Sequence, residues 1–474
     1  MSCQTNNATA PSPAVAPGRE RIDPRRVVEW LVNRHGPVAT DPRLAQVAPG
    51  FDAPFFQAGL AGYSDAAMRI VARRHGCPFC VTEALLDRTL LAGGRGFTKA
   101  DLGELHDNIP GGPEDHPLAG QIMGSHPLEM AAGALKMAEQ GIRGDRAYRA
   151  IAYDHDPELW ADVIESHLRN PGGEQVRVED DARSGVGRGV DPGDIDGVSS
   201  GGGVDGEGSW PGLAAGDGPA AAGAGASFQV IDVNLACPVK KIKNKARGGH
   251  WLTDPAGAIR ILEAVRDAVP SHIPCSVKLR RAYDDTPEMA DHFERIFDAA
   301  YRIGYCWATV HARTVEQKYI GPSRWTFLRD LVARHPDRIV FGSGDVWDVN
   351  DIFAMIGYTG VQAVSVARGC IGNPWIFRQA RDMIAGRPPR PPTMAQQRVA
   401  LEEHFRLSLA VTRKFKKAEE QSSKMMRKFA IRFAAHHPRS QAVRDRMIAV
   451  RNAAEWLGVL DEHYPAEDAA SSGR

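Results

Sequence analysis

The sequence predicts an α/β protein built on a (β/α)8 TIM barrel, with a C-terminal all-helical domain and a disordered, glycine-rich insertion. Three observations predict it. Eight short apolar runs alternate with amphipathic stretches of helix length, the pattern of a parallel sheet. With one low-complexity segment set aside, 258 residues remain between Phe51 and Arg390, close to the roughly 250 of an eight-fold β/α barrel. Finally, nearly every apolar run ends in a small or polar cluster, the arrangement a barrel active site requires at the C-terminal ends of its strands. A doubly wound open sheet would satisfy the alternation alone.

The expected strands are Pro54–Ala58, Phe79–Thr82, Leu118–Ile122, Val230–Val233, Cys275–Leu279, Ala308–Val310, Ile339–Gly342 and Ala363–Val366. Helices are expected after them at Asp65–His75, Leu85–Leu91, Pro127–Gln140, Pro255–Val269, Pro287–Arg302, Arg324–His335, Val349–Ile356 and Ile376–Ile384. Residues 1–50 form an N-terminal extension with a short helical pattern at Val27–Asn33, and 51–390 the barrel. Within the barrel, 145–226 is an insertion between the third helix and the fourth strand, on the face away from the chemistry. Its stretch Gly172–Ala226 holds 17 glycines and cannot bury enough apolar surface to offset chain entropy. After a Pro-rich hinge, 391–460 reads as helical and 461–474 as a tail.

Composition excludes several classes. No run of about 18 apolar residues exists, so no membrane span is expected. The start has no apolar block behind a basic segment, so no secretory signal is expected either. Seven scattered cysteines do not make a disulfide framework and point to a reducing cytoplasm. The 58 basic and 58 acidic side chains cancel, yet Arg390–Arg451 carries 15 Lys/Arg against five Asp/Glu. Such a basic stretch marks either a polyanion partner such as nucleic acid or a solvated helix face.

The clusters at the strand ends carry the chemistry. Gly344 lets backbone approach a ligand, and the fixed fork of Arg368 suits a phosphate, at the place where barrels commonly bind one. Lys278 supplies either positive charge to an electron-rich ring or one half of a structural ion pair. Cys237, ahead of Lys240, Lys241, Lys243, Lys245 and Arg247, sits where cations shift a thiol toward neutral titration, as an acid needs. A nucleophilic thiol is the alternative, with His311 as a distant base. Cys275, Cys306 and Cys370 read as inert buried thiols. Cys77-x-x-Cys80 with His75 leaves a zinc site one ligand short, so no metal is expected.

These residues resemble the tRNA-dihydrouridine synthase family of flavoproteins. The resemblance lies in Ala58–Asp65, Thr82-Glu83, Gly120-Gln121, the Asn-x-x-Cys-Pro element within Asp232–Val239, Val277–Arg280, the His-x-Arg-Thr element of Val310–Thr314, Gly344-Asp345, Ala367–Gly369 and Gly372–Trp375. It spans Phe51 to about Trp375, and Arg427-Lys428-Phe429 resembles the basic stretch of the family's helical domain. The resemblance implies FMN held by Gly59, Leu60, Ala61, Gln121, Lys278 and His311, with its phosphate against Ser343, Gly344, Asp345, Ala367 and Arg368. It implies Asn234 and Arg280 facing the target uracil, Cys237 as proton donor, and tRNA held by residues including Arg427 and Lys428. Gly59, Ser343, Ala312, Ala367 and Ala236 stand where the family usually has Pro, Asn, Gly, Gly and Gly. Backbone contacts tolerate such changes; Ser343 loses an amide contact.

The function so implied is reduction of the C5=C6 bond of specific tRNA uridines to 5,6-dihydrouridine, with NADPH or NADH as reductant, by a cytoplasmic monomer. A flavin barrel acting on a free pyrimidine, like dihydropyrimidine or dihydroorotate dehydrogenases, explains the barrel but not the basic C-terminal stretch. A tRNA-binding protein with a decayed flavin site is the third reading.

Overall fold

The computed structural model describes residues 21–36, 39–92, 112–139, 143, 145–153, 228–238, 248–412 and 417–465. The expected disorder of Gly172–Ala226 lies outside them. In chain order the chain forms α1 (Pro24–His35), α2 (Pro42–Val47), β1 (Phe55–Gln57), α3 (Ala66–Arg74), β2 (Cys80–Val81), β3 (Leu85–Leu86), α4 (Asp87–Ala92), β4 (Leu118–Met123), α5 (Pro127–Ala138), α6 (Asp145–Tyr153) and β5 (Val230–Leu235). It continues with α7 (Pro255–Ala268), β6 (Cys275–Arg280), α8 (Pro287–Ile303), β7 (Trp307–His311), α9 (Trp325–Arg334), β8 (Val340–Ser343), α10 (Val349–Thr359), β9 (Ala363–Val366) and α11 (Trp375–Ile384). Four further helices follow: α12 (Met394–Thr412), α13 (Ala418–Phe433), α14 (Ser440–Ala449) and α15 (Ala453–His463).

All pairings are parallel, in the order β2-β1-β9-β8-β7-β6-β5-β4-β3, and β2 also pairs with β4. The sheet is therefore a closed barrel, which removes the open-sheet alternative. Where the sequence predicts helix from Leu85, the structure has Leu85-Leu86 as strand. They pair with Ile122 and Met123 while Cys80 and Val81 pair with Leu118 and Ala119, so β2 and β3 are halves of one stave. The break between them is bridged by Thr82, whose hydroxyl accepts the Gln121 N–H at 2.9 Å.

Local sequence starts these helices. Proline stands at the first turn of α5, α7 and α8, where its missing N–H costs nothing. Asp65, Asp254, Thr286 and Asp348 cap α3, α7, α8 and α10 with side-chain acceptors. At the start of the expected insertion, Asp145–Tyr153 is a helix whose Tyr148, Ala152 and Tyr153 pack against Leu91, Ala132 and Leu135. Apolar spacing at Tyr148, Ala152 and Tyr153 gives α6 a face to bury, which the glycine-rich stretch lacks.

Two layers of core result. Around the barrel, one apolar cluster continues from the strands and their helices into Leu401, Phe405, Phe429, Phe433 and Trp456 of the C-terminal helices, which thus share the barrel's core. At the N-terminal floor a second cluster joins Leu44, Ala48 and Phe51 to Phe56, Phe79, Trp307 and Phe341. The helix α1 braces α10, with Arg34 donating to the carbonyls of Gly360 and Val361 at its C-terminus. No helix among the described residues is long and apolar enough to cross a membrane.

Candidate active site

Above the aromatic floor, alternate residues of the strands turn polar. Ala58, Gly59, Gln121, Asp232, Lys278 and Thr309 help line a cavity on the barrel axis. The Gln121 amide donates to Asp232 Oδ2, Asn234 Nδ2 donates to Gln121 Oε1, and the Ser276 hydroxyl donates to Asp232 Oδ1, each at 2.7 Å. Burial pushes the Asp232 carboxyl up, opposed by its bonds to Ser276 and Gln121. Gln121 and Asn234 are thus oriented by a network closed on Asp232 and Ser276, two residues the sequence reading did not single out.

Cations crowd the next layer. Lys278 is held down to about 8 by burial and by Arg280; its backbone is paired with β5 and β7, while its ammonium makes no hydrogen bond or ion pair among the described residues. Arg280 is pushed down to about 10, mainly by burial, and stays charged at neutral pH. His311 is driven well below its ordinary value by burial and then by Arg280, Lys278, Arg313 and Arg368. Its Nδ1 accepts the Arg313 N–H at 3.2 Å, so the neutral ring carries its proton on Nε2 and can donate it.

Cys237 follows β5 and is half-buried. Its carbonyl accepts the Gly249 N–H at 2.9 Å, and a Cβ on Gly248 (φ +53°) would stand 2.7 Å from the Cys237 Cβ. Glycine at 248 is what lets the two segments meet. Lys278 and Arg280 both feel the thiol electrostatically; Lys240–Arg247, the cations expected to do so, lie outside the described residues. Arg280, expected to face the uracil, directs Nε to Ala236 O at 3.0 Å and Nη1 to Thr314 O and Lys318 O at 2.8 and 2.7 Å. It buttresses the backbone on either side of the site.

On the opposite rim, Gly59, Leu60 and Ala61 follow β1. A Cβ at Gly59 would stand 2.3 Å from Thr82 O and 3.3 Å from Gln121 Oε1, so any side chain there requires the Thr82 backbone to shift. The Leu60 N–H donates to Ser64 Oγ at 2.8 Å and the Gly62 N–H to Glu83 Oε2 at 2.8 Å, fixing the turn. Lys428 reaches this turn: its ammonium donates to Gly62 O and lies 4.9 Å from the Tyr63 ring centroid. Lys428, expected on RNA, thus joins α13 to the rim. Its neighbour Arg427 has a buried Nε without a partner.

At the ends of β8 and β9, Ser343 is paired across the sheet with His311 and Ser365. Gly344 (φ +114°) and Asp345 (φ +58°) turn the chain in left-handed geometry. A Cβ on Gly344 would strike Ser323 Oγ at 2.3 Å. The Asp345 carboxylate accepts from Arg313 Nη2 at 2.6 Å and from the Ser323 N–H at 2.7 Å. Ala367 (φ −100°, ψ −99°) leads into a short 3-10 turn at Arg368–Cys370. The Arg368 guanidinium lies 4.4 Å from the Trp347 ring centroid and 3.9 Å from Asp345. Beside them Arg313 Nη1 and the Ser323 hydroxyl are buried with no hydrogen-bond partner, two donors oriented for an absent acceptor. The sequence reading named Arg313 only as part of the His-x-Arg-Thr element and passed over Ser323. Cys77 and Cys80, by contrast, are buried with sulfurs 3.9 Å apart, and Cys77 donates to Phe79 O.

A sequence model of the family described as "Dihydrouridine synthase (Dus)" matches residues 219–469, from just before β5 through the C-terminal helices. The "Probable tRNA-dihydrouridine synthase" of Mycobacterium leprae is 30% identical over 250 residues, 52% of this chain and 63% of the relative. That of Mycobacterium tuberculosis is 31% identical over 251 residues, 52% and 62%. That of Treponema pallidum is 31% identical over 242 residues, 50% of this chain and 68% of the relative. The chain thus spans a little over three fifths of the length of the mycobacterial relatives. It belongs to the dihydrouridine synthase family.

Proposed function

We propose that this protein is a tRNA-dihydrouridine synthase, binding FMN in the barrel mouth and reducing the C5=C6 bond of a uridine in tRNA with NADPH or NADH as the source of electrons. One observation carries the cofactor reading. Lys278, Arg280, Arg313 and Arg368 meet at one end of the barrel with Asp345 as the one carboxylate in ion-pair contact with any of them among the described residues. Two of the buried donors there lack acceptors. Excess buried positive charge calls for an anionic guest, and a phosphate-bearing flavin supplies both a dianion and an electron-rich ring. Bound FMN would provide hydride chemistry.

The chain's own residues would do the rest. Arg368, Arg313 Nη1, Ser323 and the backbone at Gly344–Asp345 and Ala367 hold the phosphate. Lys278 and the Nε2–H of His311 face the ring system, and Gln121 and the Gly59–Ala61 turn border its other edge. Asn234 orients the uracil, and Cys237 delivers a proton to C5 from the opposite face. The thiol lies within electrostatic reach of Lys278 and Arg280. The basic stretch between Arg390 and Arg451 supports tRNA as the partner, since phosphate contacts dominate such affinity.

The test is the visible spectrum of the purified protein, followed by turnover of unmodified tRNA. Cys237→Ala should keep bound flavin and NADPH oxidation while losing dihydrouridine formation. A polypeptide that is colourless, and remains so after reconstitution with FMN, overturns the proposal. Loss of FMN from Cys237→Ala would assign the cysteine a structural role.

A further inference from the structure

The turn Thr314–Ser323, between β7 and α9, is fixed far more firmly than a surface loop needs. Two buried arginines direct their donors at its carbonyls: Arg280 Nη1 at Thr314 O and Lys318 O, and Arg313 Nε and Nη2 at Gly321 O, at 3.0 and 2.6 Å. Gln317 ties the turn from within, accepting from the Thr314 N–H and donating to Ile320 O, each at 3.2 Å. Lys318 is left-handed at φ +49°, a conformation that costs a side chain free energy unless its surroundings impose it.

What this scaffold holds outward is apolar. Ile320 is 75% exposed and Tyr319 57%. Tyr319 stands between Arg280 and Arg368, whose guanidinium carbons lie 5.4 and 5.1 Å from its ring centroid. Arg368 in turn stacks near Trp347, itself 37% exposed. The result is a row of aromatic and guanidinium planes beside the cation-lined mouth, with an aliphatic tip at its edge.

We infer that Tyr319, Ile320 and Trp347 form a stacking platform for the unpaired nucleotides that flank the reacting uridine in its RNA substrate. The inference rests on the tRNA reading above. Drawing a base out of its stack leaves its neighbours with exposed faces, and proteins cover such faces with aromatic rings and arginine planes. Through Arg280 and Arg368 the platform borders the mouth where the extruded uracil would lie, and the positive field of these two residues favours a polyanionic strand. A preformed turn avoids the ordering cost that a loose loop would meet on binding.

The experiment is binding of labelled unmodified tRNA to the holoenzyme by fluorescence anisotropy, over a range of salt concentrations. Ile320→Ser and Tyr319→Ala should each weaken affinity about fivefold or more, the lower end for a lost base stack, and Tyr319→Phe should retain it. The slope of log affinity against log salt should not change, because no phosphate contact is lost. The flavin spectrum of Ile320→Ser reports that the barrel is intact. Wild-type affinity in both Ile320→Ser and Tyr319→Ala overturns the platform and leaves the tRNA reading standing; that result also follows if the patch serves a protein partner. A shallower salt slope overturns it too, by making the contact ionic. If the wild-type holoenzyme fails to bind tRNA, the functional reading itself falls and this inference with it.

Discussion

The floor and the mouth of this barrel are made from the same strands and differ in almost every physical respect. Along β7 the inward residues run Trp307, Thr309, His311, and along β8 Phe341, Ser343; one step of two residues carries the wall from aromatic to polar. At the floor, Phe51 stacks on Phe79 with ring centroids 4.8 Å apart and meets Phe341 edge-on at 5.7 Å, while α2 closes the end. At the mouth, Lys278, Arg280 and His311 are buried against one another's charge. The N-terminal face concentrates apolar burial, which stabilises the fold. The C-terminal face concentrates desolvated cations, which oppose folding until an anion arrives. Barrels tolerate this division because loop exchange at one end leaves the other end's packing untouched.

Substitutions at the two ends should therefore act in opposite ways. Phe51→Ala removes the ring at the centre of the floor and should cost about 3–5 kcal/mol of stability, read as a lower denaturant midpoint with an unchanged slope. The flavin spectrum of the fraction still folded should match wild type. Lys278→Met removes a buried cation that has no ion pair, so thermal stability of the flavin-free protein should hold or rise. Its affinity for FMN should fall about tenfold, the scale of one charge-assisted contact. If Lys278→Met unfolds the protein as Phe51→Ala does, the lysine is part of the scaffold and the contrast between the two ends collapses.

Strand positions were legible in the sequence because each buried strand is a short apolar run with a polar terminus; Val230–Leu235 and Cys275–Arg280 stand out on that ground alone. Amphipathic stretches of helix length marked most of the helices equally well. Illegible were features that depend on what two distant segments do together. Nothing in the sequence around Arg280 shows that its donors reach Ala236, Thr314 and Lys318. Nothing in the sequence around Lys428 shows that its ammonium reaches the Gly62 carbonyl, 366 residues away. Gly248 gives no local sign of its purpose, which is to let Cys237 pass within van der Waals reach. Leu85-Leu86 has helical neighbours and becomes strand through a parallel partner in β4.

A graded effect of pH separates binding from folding by sign. Lys278 titrates near 8 in the folded, empty protein against an ordinary value of 10.5. Between those values the unfolded chain binds more protons than the native one, so this group makes the native state relatively more stable as pH rises from about 8 to 10.5. An anionic guest does the reverse: it is attracted by the charged ammonium, so its affinity is flat below about pH 8 and declines above it. FMN binding, followed by quenching of flavin fluorescence, should weaken up to about tenfold from pH 7 to pH 9, while the unfolding midpoint of the flavin-free protein shows no loss attributable to this lysine. Lys278→Met should abolish that decline. An FMN affinity in the wild type that stays level through pH 9 would mean the ammonium does not face the cofactor, and the excess charge at the mouth would then be answered by Arg313 and Arg368 alone.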